Sequence, residues 1–287
     1  MNWLDEGALY SSIGLFLRED LGRGDITTQT VLMRNARARG RFVAGEKMVV
    51  AGLEAAEEVF ATLDPQQQLE AFTSDGEEVE AGKVIARTNG FADVLLAGER
   101  VALNLLQHLS GVATTTRQFV RAVEGTKTKI ADTRKTTPGL RDLELYAVRV
   151  GGGVTNRTSL ADAVLWKDNH WALLDQDGRS LADALRGAGD HAIIVEVESD
   201  AQLDTALAAG VTHVLVDNQS PEQVAEWARR AGPNVTIQAS GGITPDTARA
   251  YAEAGAALIA IGALTHSAPA APIRCEITAA QRVRATS

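Results

Sequence analysis

From about residue 130 onward the chain repeats one unit: a short run of valine, isoleucine, leucine and alanine, a polar residue at its end, then an amphipathic stretch. The runs are Lys129–Ala131, Ala147–Val150, Ala163–Trp166, Ala192–Val197, His213–Val216, Val235–Ala239 and Leu258–Ile261. Helical patterns such as Ser199–Ala209, Ser220–Ala231 and Pro245–Ala254 lie between several of them. Ser220 before Pro221 and Thr244 before Pro245 are helix-start chemistry, because proline tolerates the first helical turn and a hydroxyl can cap it. Near-continuous apolar strands alternating with helices point to a parallel sheet covered on both faces. Seven such units fit a βα barrel, open or closed, better than a doubly wound sheet. No G-x-G-x-x-G follows a first strand, which speaks against dinucleotide binding.

The first ~110 residues read differently, so a second domain is expected. Leu4–Leu21 has helical spacing, with Leu4, Leu9, Ile13, Leu15, Leu17 and Leu21 apolar. Alternating segments follow around Gly40–Ala51 and Glu77–Thr88, with turns at Asp75-Gly76 and Ala81-Gly82. The Asp-Gly to Ala-Gly-Lys hairpin is similar to lipoyl-type carrier domains, but its tip lacks a lysine in the apolar-flanked setting, so a structural β-sandwich is expected. A long helical pattern, roughly Phe91–Val123, connects to the barrel through a stripe of Val94, Leu95, Val101, Leu105, Leu106 and Leu109.

With 287 residues, 23% of them charged and a net charge of −9, the chain has the composition of a soluble globular protein. The single cysteine, Cys275, excludes an internal disulfide and any multi-thiolate metal site. Met1–Glu6 is acidic and lacks the build of a signal peptide, and the longest apolar run, Ala254–Leu264, is too short to span a bilayer. A cytoplasmic enzyme is the expectation, with no membrane and no nucleic-acid partner.

Chemistry concentrates at the ends of the runs. Asp132-Thr133-Arg134-Lys135-Thr136-Thr137-Pro138-Gly139-Leu140 places fixed positive charge at a strand exit, and Arg157, Lys167 and His170 occupy others. Buried cations are costly unless an anion meets them, and barrel strand exits build active sites. A concentrated basic pocket in an acidic protein suits a small, multiply charged anion; nucleic acid would call for a broad basic face. Glu196/Glu198 and Asp217-Asn218 add polar chemistry at two further exits. A lone aspartate after a strand is usually a helix cap and a lone lysine usually surface, yet consecutive exits with such chemistry are harder to ascribe to chance. Ser240-Gly241-Gly242 and Gly262-Ala263 follow the last two runs. Glycines let backbone N–H groups approach an anion, the helix from Pro245 adds its positive end, and barrels often bind phosphate there.

The chain resembles the quinolinate phosphoribosyltransferase family, also called carboxylating nicotinate-nucleotide pyrophosphorylase. The likeness runs through Glu19-Asp20-Leu21-Gly22, Gly24-Asp25-Ile26-Thr27-Thr28, Glu99-Arg100-Val101-Ala102-Leu103-Asn104 and Leu109-Ser110-Gly111. It continues through the segment 132–140, Tyr146-Ala147-Val148, the triple glycine 151–153, Lys167-Asp168-Asn169-His170, Glu196-Val197-Glu198, Asp217-Asn218, Ala239–Ile243 and Ile261–Thr265. The resemblance implies an N-terminal α/β sandwich (1–112, joined by 272–287) and an open seven-stranded βα barrel (113–271). It implies a homodimer, or a higher assembly of dimers, in which one subunit's sandwich covers the other's barrel mouth. The implied reaction joins quinolinate to phosphoribosyl pyrophosphate, releasing pyrophosphate and carbon dioxide and giving nicotinate mononucleotide for NAD synthesis.

Quinolinate carries adjacent carboxylates, which suit guanidinium forks. Arg134 and Arg157 are the candidate forks, with Lys135 and Lys167 neutralising remaining charge, Asn156 beside them, and Arg100 implied to come from the neighbouring subunit. Glu198 and Asp217 are the candidate Mg²⁺ ligands, and Lys135, Lys167, Glu198 and Asp217 the candidate catalytic residues. Ser240, Gly241, Gly242, Gly262 and Ala263 are expected to hold the 5′-phosphate.

Three positions depart from the family pattern: Asn156 replaces a histidine, Gln238 a glutamate and Leu145 a lysine. Asn156 hydrogen-bonds but carries no charge, which leaves open a paralogous phosphoribosyltransferase for another pyridine or aromatic carboxylate. Two further rivals are a Schiff-base aldolase using Lys167 and a binding protein with a dead site.

Overall fold

The structure, a computed structural model, describes residues 6–280. The expected helix start at Leu4 and the end of the joining segment, 281–287, lie outside the described residues. In chain order the first elements are α1 (Glu6–Leu21), α2 (Ile26–Val31), β1 (Arg37–Ala44), β2 (Met48–Val49), α3 (Leu53–Leu63), β3 (Leu69–Ala71), β4 (Glu78–Val79), β5 (Val84–Phe91) and α4 (Ala92–Ala122). Next come β6 (Lys129–Ala131), α5 (Arg141–Val150), β7 (Ala163–Trp166), α6 (Asp168–Asp177), α7 (Leu181–Leu185), β8 (Ala192–Val197), α8 (Asp200–Ala208) and β9 (His213–Asp217). The last are α9 (Pro221–Ala231), β10 (Thr236–Ser240), α10 (Pro245–Glu253), β11 (Leu258–Ala260), α11 (Ala263–His266) and β12 (Ile273–Ala279).

Two compact units result, one from the described residues up to Thr115, Thr137–Gly151 and those from Ala268, the other from Thr116–Thr136 and Gly152–Ser267. The first holds an antiparallel sheet of order β12-β1-β5-β3 and a separate β2–β4 ribbon. The segments read as one hairpin therefore split: β4 pairs with β2, whereas β5 pairs with β1 and β3. The glycine turns at 75–76 and 81–82 are present, but a turn signal does not name the strand's partner. Phe42 and Phe60, both fully buried, meet with ring centroids 6.1 Å apart, and Ile13, Leu95, Leu106 and Leu109 of the same unit are likewise fully buried.

The second unit is a parallel sheet of order β6-β11-β10-β9-β8-β7. Its first and last strands in sequence pair with each other, Leu258 opposite Lys129, as a barrel requires. Residues facing the helices, Val195, Val197, Val214, Val216, Ile237, Ala239 and Ile259, are essentially inaccessible to solvent. Alternate residues, Glu196, Glu198, Leu215, Asp217, Gln238, Ser240 and Ala260, line a lumen cavity instead, the period of two that any strand imposes. Ser220 and Thr244 cap α9 and α10 as their sequences foretell, and Ser199 caps α8.

One of the seven runs is not a strand. Ala147–Val150 belongs to α5, whose Leu143, Ala147 and Val148 are buried at helical spacing. A four-residue apolar run fits either state, and here the acidic first turn of Asp142 and Glu144 favours the helix. The seventh barrel position is reduced to a single bridge of Val154 beside Ala131. Val154 donates to Ile130 O at 2.8 Å and accepts from Asp132 N–H at 3.2 Å. Among the described residues the barrel is open between this segment and β7.

Candidate active site

The carboxyl ends of the six strands surround a cavity of about 580 Å³ within the second unit. It collects Arg134, Lys135, Asn156, Arg157, Lys167, Glu198, Asp217 and Ser240, eight of the residues chosen from sequence, with Thr133, Asp168, Glu196, Asn218 and Gln238 among the others lining it. Gly241, Gly242, Gly262 and Ala263 sit in the loops directly after β10 and β11. Arg100 lies on α4 in the first unit and does not line this cavity.

The cationic side is set by the loop after β6 and the segment after Val154. Asp132 is fully buried and accepts from Asn156 N–H at 2.9 Å, which ties the two together. Arg157 is only 9% exposed; its guanidinium donates to Ala163 O at 3.1 Å. Burial, and then the nearby Arg134 charge, lower the pKa of Arg157, with Asp162 acting weakly the other way. The Nε of Arg134 is buried without a hydrogen-bond partner among the described residues. A buried guanidinium beside a second one whose Nε is also withdrawn from water favours an anion between them.

Lys135 is fixed from the far end of the barrel. Thr265, buried at 2% exposure, donates its hydroxyl to Lys135 O at 2.8 Å. The Lys135 side chain crosses Gly262 so closely that a Cβ there would lie 2.9 Å from Lys135 Cδ and 3.1 Å from His266 Nε2. Glycine is equally required at 241, which has φ +92° and where a Cβ would meet Asn218 Oδ1 at 2.1 Å. Asn218, itself left-handed at φ 53°, donates its backbone N–H to Ser240 O at 2.9 Å and its amide to Asp217 Oδ2 at 2.6 Å.

Opposite stand three carboxylates. Oxygens of Glu196, Glu198 and Asp217 all lie within 4.8 Å of one another. Glu196 faces Lys167 Nζ at 3.5 Å. Burial raises the Glu196 pKa most; Lys167 pulls it back and Asp217 pushes it up further. An all-oxygen donor set of this density fits a hard divalent cation such as Mg²⁺. The Lys167 ammonium is ion-paired, unlike the desolvated free amine that Schiff-base chemistry uses.

Glu196, recognised from sequence as strand-exit chemistry but not as a metal ligand, joins the two carboxylates that were. Its signal was parity: it stands two before Glu198, hence on the same strand face. His170 is not a lining residue but accepts from Lys167 N–H at 3.0 Å, holding the turn into α6.

Two family models cover nearly the whole chain: the N-terminal domain of quinolinate phosphoribosyl transferase matches residues 25–110 and the C-terminal domain residues 112–275. The chain belongs to the quinolinate phosphoribosyl transferase family. A relative from this family in Bacillus subtilis (strain 168), named a probable carboxylating nicotinate-nucleotide pyrophosphorylase, is 41% identical over 267 residues, 92% of this chain and 91% of that one. A carboxylating nicotinate-nucleotide pyrophosphorylase from Mycobacterium leprae is 42% identical over 259 residues, 88% of this chain and 90% of its own length. Among solved structures, NadC from Streptococcus pyogenes superposes with a TM-score of 0.90 at 35% identity, covering 97% of this chain and 99% of that one.

Proposed function

We propose that this protein transfers the phosphoribosyl group of phosphoribosyl pyrophosphate to quinolinate with decarboxylation, giving nicotinate mononucleotide, pyrophosphate and carbon dioxide. Membership of the family supports this over transfer to another aromatic acid. The observation that carries the chemistry is the buried Arg157 beside Arg134, both lining the same cavity as the Glu196–Glu198–Asp217 cluster.

Each residue has work that follows from its placement. Arg134 and Arg157 hold the two adjacent carboxylates of quinolinate as forks, and Lys167 adds a point charge. Gly241, Gly242, Gly262 and Ala263 offer backbone N–H groups to the 5′-phosphate, with Lys135 lying across Gly262. Glu198 and Asp217, with Glu196 beside them, would hold Mg²⁺, which when bound neutralises the pyrophosphate leaving group. The same carboxylates offset positive charge that develops on the ribose ring. The pyridine nitrogen forms the new bond to the ribose carbon as the bond to pyrophosphate oxygen breaks. The neighbouring carbon then loses carbon dioxide and keeps the electron pair, which the adjacent positive pyridinium nitrogen stabilises until that carbon takes a proton from water. No dedicated base is needed, so orientation and charge do the catalysis.

The proposal includes a cytoplasmic homodimer whose partner supplies Arg100. Among the described residues no helix is long and apolar enough to cross a membrane. In the first unit, Arg34, Arg37, Arg39, Arg41 and Arg87 line a groove of about 1070 Å³ on the four-stranded sheet. It is read as a docking face, because a cationic face in a chain of net charge −9 suits a second copy. Incubation with phosphoribosyl pyrophosphate, Mg²⁺ and a panel of pyridine acids, followed by mass spectrometry, tests the reading. Nicotinate mononucleotide and carbon dioxide from quinolinate support it; turnover of a monocarboxylate without quinolinate refutes it.

A further inference from the structure

We infer that Gln238 is a specificity-determining residue at the cavity floor, its side-chain amide donating to an acceptor oxygen of the flat acid substrate. The inference rests on quinolinate being that acid. β10 presents Gln238 two residues before Ser240, opposite Leu215 of β9, which in turn faces Glu196 of β8. It is fully buried and lines the cavity.

Its orientation is set from below. His213 starts β9 on the same lumen face, in the row of Thr236, and its Nε2 lies 2.9 Å from Gln238 Oε1. Burial lowers the His213 pKa, the bond to Gln238 opposing it, which favours the neutral ring with its one N–H. An amide oxygen only accepts, so that N–H is on Nε2. With Oε1 engaged, the carboxamide has only its NH₂ left to offer. That nitrogen is buried and has no hydrogen-bond partner among the described residues. A buried donor left unmade is destabilising, and a ligand acceptor seated in the cavity removes the cost.

The depth of the position selects which substrate supplies the acceptor. The glycine loops lie beyond the strand ends, whereas Gln238 sits inside the barrel with Leu165 and Leu215 also lining the cavity. Apolar leucines accept the faces of an aromatic ring; a phosphosugar belongs at the polar loops above. An amide donor at the ring's edge recognises a carboxylate oxygen without adding charge to a lumen already crowded with cations.

The test compares Q238M with H213L/Q238M, the second removing both partners so that no new buried polar group is orphaned. Isothermal titration with quinolinate and, separately, with phosphoribosyl pyrophosphate reads binding, and thermal melting reads the fold. In both variants the Kd for quinolinate rises about ten- to a hundredfold, the factor a hydrogen bond to a charged group supplies. The Kd for phosphoribosyl pyrophosphate stays within twofold, and the ligand-free double variant melts at or above the wild-type temperature. An unchanged quinolinate Kd in the double variant, or equal losses for both ligands, overturns the assignment; should Q238M not fold, the double variant decides. Wild-type protein that neither binds nor consumes quinolinate fails the functional reading, whereas wild-type turnover with an unaffected double variant fails Gln238 alone.

Discussion

Arg157→Lys keeps the charge at the cationic wall and removes the fork, which makes it the sharpest probe of how the diacid is held. Arg157 is 9% exposed, and one arm of its guanidinium already serves Ala163 O at 3.1 Å. Arg157 lines the cavity beside Arg134, and the proposal assigns its remaining arm the charge-assisted bond to a substrate carboxylate. Losing one such bond costs about 1.5–3 kcal/mol, or roughly ten- to 150-fold in kcat/KM for quinolinate. The bond to Ala163 is a neutral-acceptor contact within the fold, whose loss costs about 1 kcal/mol and lowers Tm by about 2–4 °C for a domain of this size. Continuous release of pyrophosphate measures the first number and calorimetry the second. A change below threefold in kcat/KM for quinolinate, or an equal loss in the constant for phosphoribosyl pyrophosphate, refutes the assignment of Arg157 to the diacid.

Gly241→Ala must move Asn218, because its Cβ would stand 2.1 Å from Asn218 Oδ1; KM for phosphoribosyl pyrophosphate rises at least about fivefold, while quinolinate affinity in binding assays stays near wild type. Glu196→Gln raises the Mg²⁺ concentration needed for half-maximal rate. It also changes the pH dependence of the metal-free fold: burial holds the Glu196 proton past the pH at which the unfolded chain releases it, so wild-type stability falls relative to the variant as pH rises from about 4. Denaturant titrations at pH 4 and pH 7 measure this, and a constant difference contradicts it. Burial and the nearby Glu99 push the Cys275 thiol up to about 12, so it reacts slowly with a disulfide reagent at pH 8 and fast only in denaturant; rapid reaction of folded protein contradicts that placement.

Strand exits were legible because a barrel strand buries one face against helices and turns the other into the lumen. Val195 and Val197 betray the strand, and Glu196 and Glu198 between them betray the cavity, by the same alternation. What sequence could not assign was partnership. Ala147–Val150 reads as a strand until its buried Leu143, four residues before Ala147, is seen to continue the stripe. β4 and β5 carry the right turn residues yet pair elsewhere. The bond between His213 and Gln238 joins residues 25 positions apart, and only the parallel register of β9 and β10 brings them together. Arg134, Lys135, Arg157 and Lys167 announced themselves by charge alone, whereas Thr265, which fixes Lys135, carries no such mark.

The pairing of β6 with β11 has a consequence for how the protein comes into being. Lys129 meets Leu258, and Lys135 is secured by a hydroxyl from Thr265, so the earliest and latest parts of the barrel depend on each other. A nascent chain that has emerged only as far as residue 250 holds most of its charged inventory but lacks the β11 that joins β6 to the rest of the sheet. Such long-range closure is slow to form and leaves strand edges exposed meanwhile. Premature termination before β11 therefore yields a sticky intermediate without a usable pocket, lacking the Thr265 hydroxyl that holds Lys135.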